Sequence, residues 1–473
     1  MNSNSRLFAN ETTENEIQWR TILEQQNIRT NFHLLRPLNP LSSSYSQTCD
    51  ICSNPAILAC ISCHSKWCSH EHFLLDDEPV HSHICSKLTE LWFIAYENKH
   101  GNEIEALLTN SSEMKIERGL LMEIRRICLE RCSGYVADRN WIMAVAPSLR
   151  VVGLSEKIFG KRSLEFISAG LLMAKCHLGL KKYEYVNRHL QVLNVQIMDI
   201  INDELQRVSG QIDKRLVFKE EPKNLGENRI KFPFVQIPIK VIEKMNNEIV
   251  AVQGRLYHLF GAFFQSLGES EESIDFFGAS IYFLSLAYGP TALKTTLGYL
   301  ELGKSMLIGQ KPFHSPHNPK IRYSEQNAIV KKVLNIVQFS VDVWDTMIRR
   351  AINTNTQLLY DFCEIGEPRL LLQDAKAISS LYVGTASSYY CSASVTLAFL
   401  FLSFDKDYES VVEAKIAQKA LQGYFIWNDE INSQEYQRMK FLQKDVSDIL
   451  SILETPDVMK RIAIVETNAR SRV

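Results

Sequence analysis

The stretch Cys49–Cys85 reads CDICSNPAILACISCHSKWCSHEHFLLDDEPVHSHIC and contains six of the eleven cysteines of the chain. Its thiols and imidazoles fall into four successive pairs, which are Cys49 and Cys52, Cys60 and Cys63, Cys68 and His72, and His81 and Cys85. Two intervening residues suit a tight turn, whereas three place the donors one helical turn apart. Two tetrahedral zinc ions need eight such donors, so the spacing predicts two structural Zn²⁺ ions.

Disulfide bonds are the alternative use of these cysteines. The sequence argues against them because no signal peptide opens the chain and the other cysteines follow no pairing pattern. We therefore expect an intracellular protein with reduced thiols, most of them in the core, at Cys128, Cys132, Cys176, Cys363 and Cys391.

The order of the four pairs resembles the MYND zinc finger, in which the first and third pairs share one ion and the second and fourth share the other. The resemblance implies a first ligand set of Cys49, Cys52, Cys68 and His72, and a second of Cys60, Cys63, His81 and Cys85. A histidine replaces the more usual cysteine at the sixth place, and imidazole is an ordinary zinc donor. We expect the nearby His64, His70 and His83 to be surface residues.

Many MYND fingers also carry Gln and Trp between the sixth and seventh ligands, where these residues help to dock proline-rich peptides. Phe73 and Asp77 stand at those places here. The resemblance therefore implies a structural role for the finger more strongly than it implies peptide capture.

Composition sets outer bounds on the class of protein. The chain has 473 residues, of which 45% are hydrophobic, so it has room for more than one domain with a substantial core. A formal net charge of −2 gives no electrostatic reason to expect nucleic acid or an anionic membrane as partner. The longest apolar run, about ten residues within Val395–Phe404, is too short to cross a bilayer. We expect a soluble protein.

The finger separates two different kinds of sequence. Residues 1–44 are polar at first and then interrupted by prolines and serines, which predicts an extension or linker. Residues 45–90 form the predicted finger, and Leu88, Leu91 and Trp92 have the spacing of a helix that leads out of it. Residues 91–455 read as consecutive helices, followed by a tail at residues 456–473.

The helical part contains a repeat. Tyr257, Phe260, Gly261 and Phe264, followed by Phe277, match a tetratricopeptide repeat, in which a small residue lets two helices approach. A small residue recurs after 42 residues at Gly303, and the same interval separates Cys132 from Ala174. The fold class predicted is mainly α, a tetratricopeptide-type α-solenoid with a small N-terminal two-zinc MYND finger.

Several segments complete this plan. Phe218–Pro238 contains prolines without helical periodicity, so residues 205–248 are predicted to be mostly an insertion, and Gly309–Ser324 is predicted to be a turn-rich connector. Ser388–Ser403 and Tyr408–Gly423 are predicted to pair as helices, and Glu435–Leu453 to end the stack.

Stacked helix pairs typically bind other proteins, so a scaffold or adaptor is the leading class. Lysine methyltransferases of the SET class also carry MYND fingers, but the Asn-His-Ser-Cys motif of that class is absent here, as are P-loop and dinucleotide-binding patterns. Lys and Asn are missing from most places where chaperone-tail clamps carry them. We expect no enzyme activity, no catalytic residue and no small-molecule substrate.

A MYND finger followed by long tetratricopeptide repeats resembles the zinc finger MYND domain-containing protein 12 family. The resemblance spans roughly residues 45–455 and is clearest at the Cys68 and His72 pair, the eight residues before His81, and Ser273–Gly303. It implies a ciliary or flagellar axoneme subunit, with a cytoplasmic pool before assembly. The implied partners are inner-arm dynein subunits and a second tetratricopeptide-repeat protein. The alternative is a cytosolic or nuclear adaptor whose finger recruits proline-rich peptides.

Overall fold

The computed structural model describes residues 35–37, 48–52, 54–100, 103–209, 245–308, 328–354, 368–404, 406–427 and 433–453. The described residues are mainly helical, and within each of two compact units the consecutive helices pack tightly on one another, which confirms the predicted fold class. The chain divides into two compact units, Met1–Lys182 and Tyr183–Val473.

A three-stranded antiparallel sheet opens the first unit. Its strands are β1 (Leu35–Pro37), β2 (Leu58–Cys60) and β3 (Lys66–Trp67), in the order β1-β2-β3. Strand β1 lies within the predicted linker, where the prolines argued against regular structure. The strand forms despite the prolines because its pairing with β2 satisfies backbone hydrogen-bonding groups on an edge of β2 that would otherwise be unpaired.

Five helices follow the sheet in the described part of the first unit. They are α1 (His70–Asp76), α2 (Ser82–His100), α3 (Glu103–Ala137), α4 (Trp141–Phe159) and α5 (Leu164–Gly179). A π-helical turn, Asp77–His81, joins α1 to α2, which confirms that a helix leads directly out of the finger.

The second unit consists of nine described helices. They are α6 (Tyr183–Ser209), α7 (Asn247–Leu267), α8 (Ser270–Tyr288), α9 (Leu293–Met306), α10 (Ala328–Asn353), α11 (Pro368–Val383), α12 (Ser388–Leu402), α13 (Asp407–Trp427) and α14 (Gln434–Leu453). The last three agree closely with the predicted helix pair and final helix. Helix α6 extends to Ser209, so the predicted insertion at 205–248 begins with a helical end. Residues 210–244 and the predicted connector Gly309–Ser324 lie outside the described residues.

The small positions of the repeat lie where two helices meet closely. A Cβ atom on Gly261 would stand 2.8 Å from the ring of Phe277, which is fully buried. The hydroxyl of Ser273 donates to the carbonyl of Gly261 at 2.9 Å, and Ser410 donates to Ala398 at the same distance. Ala398 is therefore a further small position, which the sequence reading missed.

Glycines with positive φ mark the joints between helix pairs. Gly160, Gly289 and Gly384 have φ angles of 85°, 96° and 88°. Each precedes a small position by fourteen residues, and those positions are Ala174, Gly303 and Ala398. Residues other than glycine rarely adopt this backbone conformation, which explains why a glycine follows each of the helices α4, α8 and α11.

No helix in the described part of the chain combines the length and the apolar character that a membrane span requires.

We predict that Gly261→Val lowers the free energy of unfolding by about 1–3 kcal/mol, because the added atoms overlap Phe277 in a packed interface. Gly278→Val, in the neighbouring helix α8, is the control, since a Cβ there meets nothing within 4 Å. We expect it to change that free energy by less than about 0.5 kcal/mol. Urea denaturation of both variants measures the difference, and equal effects would contradict the close approach at Gly261.

Candidate metal centre

The eight predicted donors form two groups. The outer cluster consists of Cys49, Cys52, Cys68 and His72, and the inner cluster consists of Cys60, Cys63, His81 and Cys85. Within each cluster the donor atoms all lie within 4.8 Å of one another. The grouping is the one that the resemblance to the MYND finger implies.

Local turns deliver the donors of the outer cluster. The amide of Cys49 donates to the carbonyl of Asn54 at 2.7 Å, which closes the loop that carries Cys52. Cys68 follows β3 directly, and Ser69 caps α1 by accepting a hydrogen bond from the amide of His72 at 3.2 Å. Because the cap starts α1 at His70, the first turn of the helix places the His72 side chain next to Cys68.

The distances in the outer cluster fit a tetrahedral ion. His72 Nδ1 lies 3.2 Å from Cys68 Sγ and 3.5 Å from Cys49 Sγ. The sulfurs of Cys52 and Cys68 are 3.5 Å apart, compared with about 2.05 Å in a disulfide. Zinc–sulfur bonds of about 2.3 Å and zinc–nitrogen bonds of about 2.0–2.1 Å place two ligands of one tetrahedral ion roughly 3.5–3.8 Å apart, so the separation of His72 and Cys68 would need to lengthen by about 0.3 Å.

The inner cluster has similar spacing and deeper burial. The sulfurs of Cys60 and Cys85 are 3.8 Å apart, and Cys63 Sγ is 3.2 Å from His81 Nε2. All four residues are buried. Cys60 and Cys63 sit at the β2–β3 turn, whereas His81 ends the π-helical turn and Cys85 follows one turn later in α2.

Asp77 fixes the orientation of His81. His81 Nδ1 donates to Asp77 Oδ1 at 2.9 Å, which turns Nε2 toward the cysteines. Burial would lower the pKa of His81, but the hydrogen bond to Asp77 and the nearby Cys60 outweigh it and raise that pKa to about 9. A carboxylate behind a metal-binding histidine is a common support for zinc. The sequence reading assigned no such role to Asp77, although its four-residue spacing from His81 was a usable signal.

Proton sharing also favours a thiolate in the inner cluster. The hydrogen bond from Cys63 lowers the pKa of Cys60 against the effect of burial. The same bond, together with burial, raises the pKa of Cys63. Zinc binds the deprotonated thiol, so a cation among these donors would replace the shared proton.

A buried ion pair fastens the finger to helix α4. Asp76, at the end of α1, is fully buried and accepts a hydrogen bond from Trp67 Nε1 at 3.2 Å. Arg150 Nε donates to Asp76 Oδ1 at 2.8 Å, and its Nη2 contacts the other carboxylate oxygen. Burial would lower the pKa of Arg150, but Asp76 outweighs it and raises that pKa. The sequence reading missed this pair, because its members are 74 residues apart.

Apolar packing extends the same attachment. Val80 and Ile84, on either side of His81, are fully buried in a cluster with Ile124 and Cys128 of α3. Arg131, also on α3, donates to the carbonyl of Pro79 at 3.0 Å. The finger is therefore continuous with the first helices.

The remaining predictions about the finger concern residues outside the two clusters. Phe73 is buried and packs edge-on against Trp67, with ring centroids 5.1 Å apart. Asp77 is buried against His81. His64, His70 and His83 belong to neither cluster, and His64 instead lies against the ring of Trp92 at 4.3 Å.

Comparison with known proteins adds no assignment. A scan against protein-family models found no match, and a search of curated proteins found none either. The resemblance to the MYND finger and to the larger family therefore remains a prediction that rests on the residues quoted above. The geometry shows that both clusters could hold a metal ion, and zinc is the ion that three thiolates and one imidazole favour.

We predict two zinc ions per chain in the purified protein, measured by elemental mass spectrometry. Cys52→Ala and Cys85→Ala should each lower the zinc content, because each removes one of four donors. Cys391→Ala is the control and should leave two ions, since this buried thiol of α12 lies outside both clusters. Unchanged zinc content in both cluster variants would refute the ligand assignment.

We also predict that Arg150→Met lowers the free energy of unfolding by about 3–5 kcal/mol, because it leaves the buried Asp76 carboxylate without its cation. Arg126→Met is the matched control, since the ion pair of Arg126 with Glu130 is exposed and worth less than about 1 kcal/mol. Denaturation followed by tryptophan fluorescence compares the two. A loss of equal size in both variants would show that the buried pair does not anchor the finger.

Proposed function

We propose that this protein is a non-catalytic scaffold whose finger is braced by two zinc ions and whose helical repeats bind other proteins. The observation that carries the proposal is the donor count of the clusters. Each cluster has four protein donors, which is typical of structural zinc, whereas catalytic zinc usually keeps one position open for water or substrate. When bound, the ions would supply rigidity through their bonds to the chain.

The helical repeats support the same proposal. Consecutive helix pairs with small residues at their contacts are typical of repeat proteins that present extended surfaces to partners. Lys304, at one place where a chaperone-tail clamp could carry a lysine, lies between Glu301 and Asp374 at 2.7 and 2.6 Å. Its charge is already compensated within the chain, which favours partners other than acidic chaperone tails.

The finer proposal is a subunit of the ciliary or flagellar axoneme associated with inner-arm dynein and a second tetratricopeptide-repeat protein. It rests on the resemblance described above, whose most extended part is Ser273–Gly303. That stretch forms most of α8 and α9, and Ser273 contacts both Gly261 and Ser305 inside the helix stack. The stretch thus carries the packing of the repeat, and the partners are inferred from the family alone.

The alternative is an adaptor in the cytosol or nucleus that recruits proline-rich peptides through the finger. The burial of Phe73 and Asp77 argues against it, because both stand where the family pattern places peptide contacts. Asp77 is further engaged by His81. We therefore keep the axonemal scaffold as the proposed function.

Fractionation of ciliated cells that express a tagged copy tests the proposal. We expect the protein in isolated axonemes and in the salt extract that contains inner-arm dynein, while a tagged cytosolic enzyme stays in the detergent-soluble fraction. Confinement to the cell body or nucleus would contradict the axonemal assignment. Binding of the purified protein to a proline-rich peptide array would favour the alternative.

A further inference from the structure

We infer that the two clusters hold their ions unequally. The outer cluster forms a labile metal site that can lose its ion while the first helices stay folded, whereas the inner cluster is an integral part of those helices. The inference goes beyond the scaffold role, because it assigns the two ions different consequences for the same chain.

Burial separates the two clusters. In the inner cluster the exposed fractions are 0% for Cys60 and His81, 4% for Cys85 and 8% for Cys63. In the outer cluster only Cys49 is buried, and the other three donors are partly exposed. A chelator or a competing thiol must contact the ion or its ligands before it can remove the ion. The outer cluster offers that access and the inner cluster does not.

The ligands of the inner cluster are also held by more neighbouring groups than the ligands of the outer cluster. In the inner cluster Asp77 accepts from His81 at 2.9 Å, the hydroxyl of Ser65 lies 3.3 Å from Cys63 Sγ, and the buried Trp67 packs edge-on against His81. Among the residues that the structure describes, His72 of the outer cluster has no carboxylate partner of this kind. Groups that hold a ligand in place slow its departure from the ion.

Two donors of the inner cluster, His81 and Cys85, lie in segments that pack against α3. His81 and Cys85 flank Ile84, which is fully buried in the cluster formed with Ile124 and Cys128 of α3. Asp76, one residue before Asp77, is held by Arg150 of α4. Loss of the inner ion would remove the positive charge that compensates the thiolates buried in this core, at a large cost in solvation.

One part of the outer cluster, the loop with Cys49 and Cys52, is attached to the helices more loosely. Its charged link is Asp50, whose carboxylate lies 3.6 Å from Arg150 and is one-third exposed. Ile51 adds a partly buried contact. Water can reach three of the four donors, so loss of this ion would loosen the loop around Cys52 and leave α3 and α4 in place.

Timed zinc release from the intact wild-type protein tests the inference. With a chromogenic chelator in excess, we expect one equivalent of zinc to leave at least about tenfold faster than the second. Hydrogen exchange measured in parallel should show that the amides of α3 and α4 stay protected after the first equivalent leaves and lose protection with the second. A single phase that releases both ions, or loss of helix protection with the first ion, would overturn the inference.

Paired variants identify which cluster gives which phase. Asp77→Ala should accelerate the slow phase about 10–100-fold and leave the fast phase unchanged, because Asp77 supports only the inner cluster. Glu90→Ala is the control, since it removes an exposed carboxylate of α2 outside both clusters and should change neither phase. Acceleration of the fast phase alone by Asp77→Ala would show that the inner cluster loses its ion first, which would contradict the inference. If Asp77→Ala does not fold, the wild-type release and exchange data decide the question.

Discussion

The constraint on which the first unit depends is the closure of the inner cluster by donors from two different parts of the chain. Cys60 and Cys63 come from a strand turn, whereas His81 and Cys85 come from the start of a helix. Bringing four such groups together in a buried space is unfavourable unless a cation compensates them. Once closed, the cluster fixes the start of α2, on which α3 packs, and the π-helical turn before it, which α3 and α4 both contact.

A buried ion pair lies next to the inner cluster. The Asp76 and Arg150 pair tolerates burial because its geometry is bidentate and because Trp67 donates a further hydrogen bond to the carboxylate. Such pairs contribute less to net stability than to the choice of one arrangement over others, since a misplaced finger would leave both charges unpaired. The finger is thus held to the helices by an ion pair next to the inner cluster of donors, and the two meet at the neighbouring residues Asp76 and Asp77.

Sequence alone predicted the features that depend on local spacing. The eight donors are separated by turn or helix intervals, and the small residues form two pairs with the same 42-residue interval, Cys132 with Ala174 and Gly261 with Gly303, so both signals could be read without coordinates. The contacts that tie distant segments together could not be read in this way. Arg150 is one of 52 basic residues, and nothing in its neighbourhood indicates that it pairs with Asp76. Strand β1 was hidden because it pairs with a strand more than twenty residues away. Ala398 was missed because the interval before it spans 95 residues, although the glycine fourteen residues earlier marks it in retrospect.

The central claim is that each cluster binds zinc through three sulfurs and one nitrogen, which makes the ions structural. X-ray absorption at the zinc edge of the purified protein measures that ligand set directly. The account predicts an average first shell of three sulfurs at about 2.3 Å and one nitrogen at about 2.0–2.1 Å for each ion. A shell rich in oxygen, or one with an open position filled by water, would contradict it.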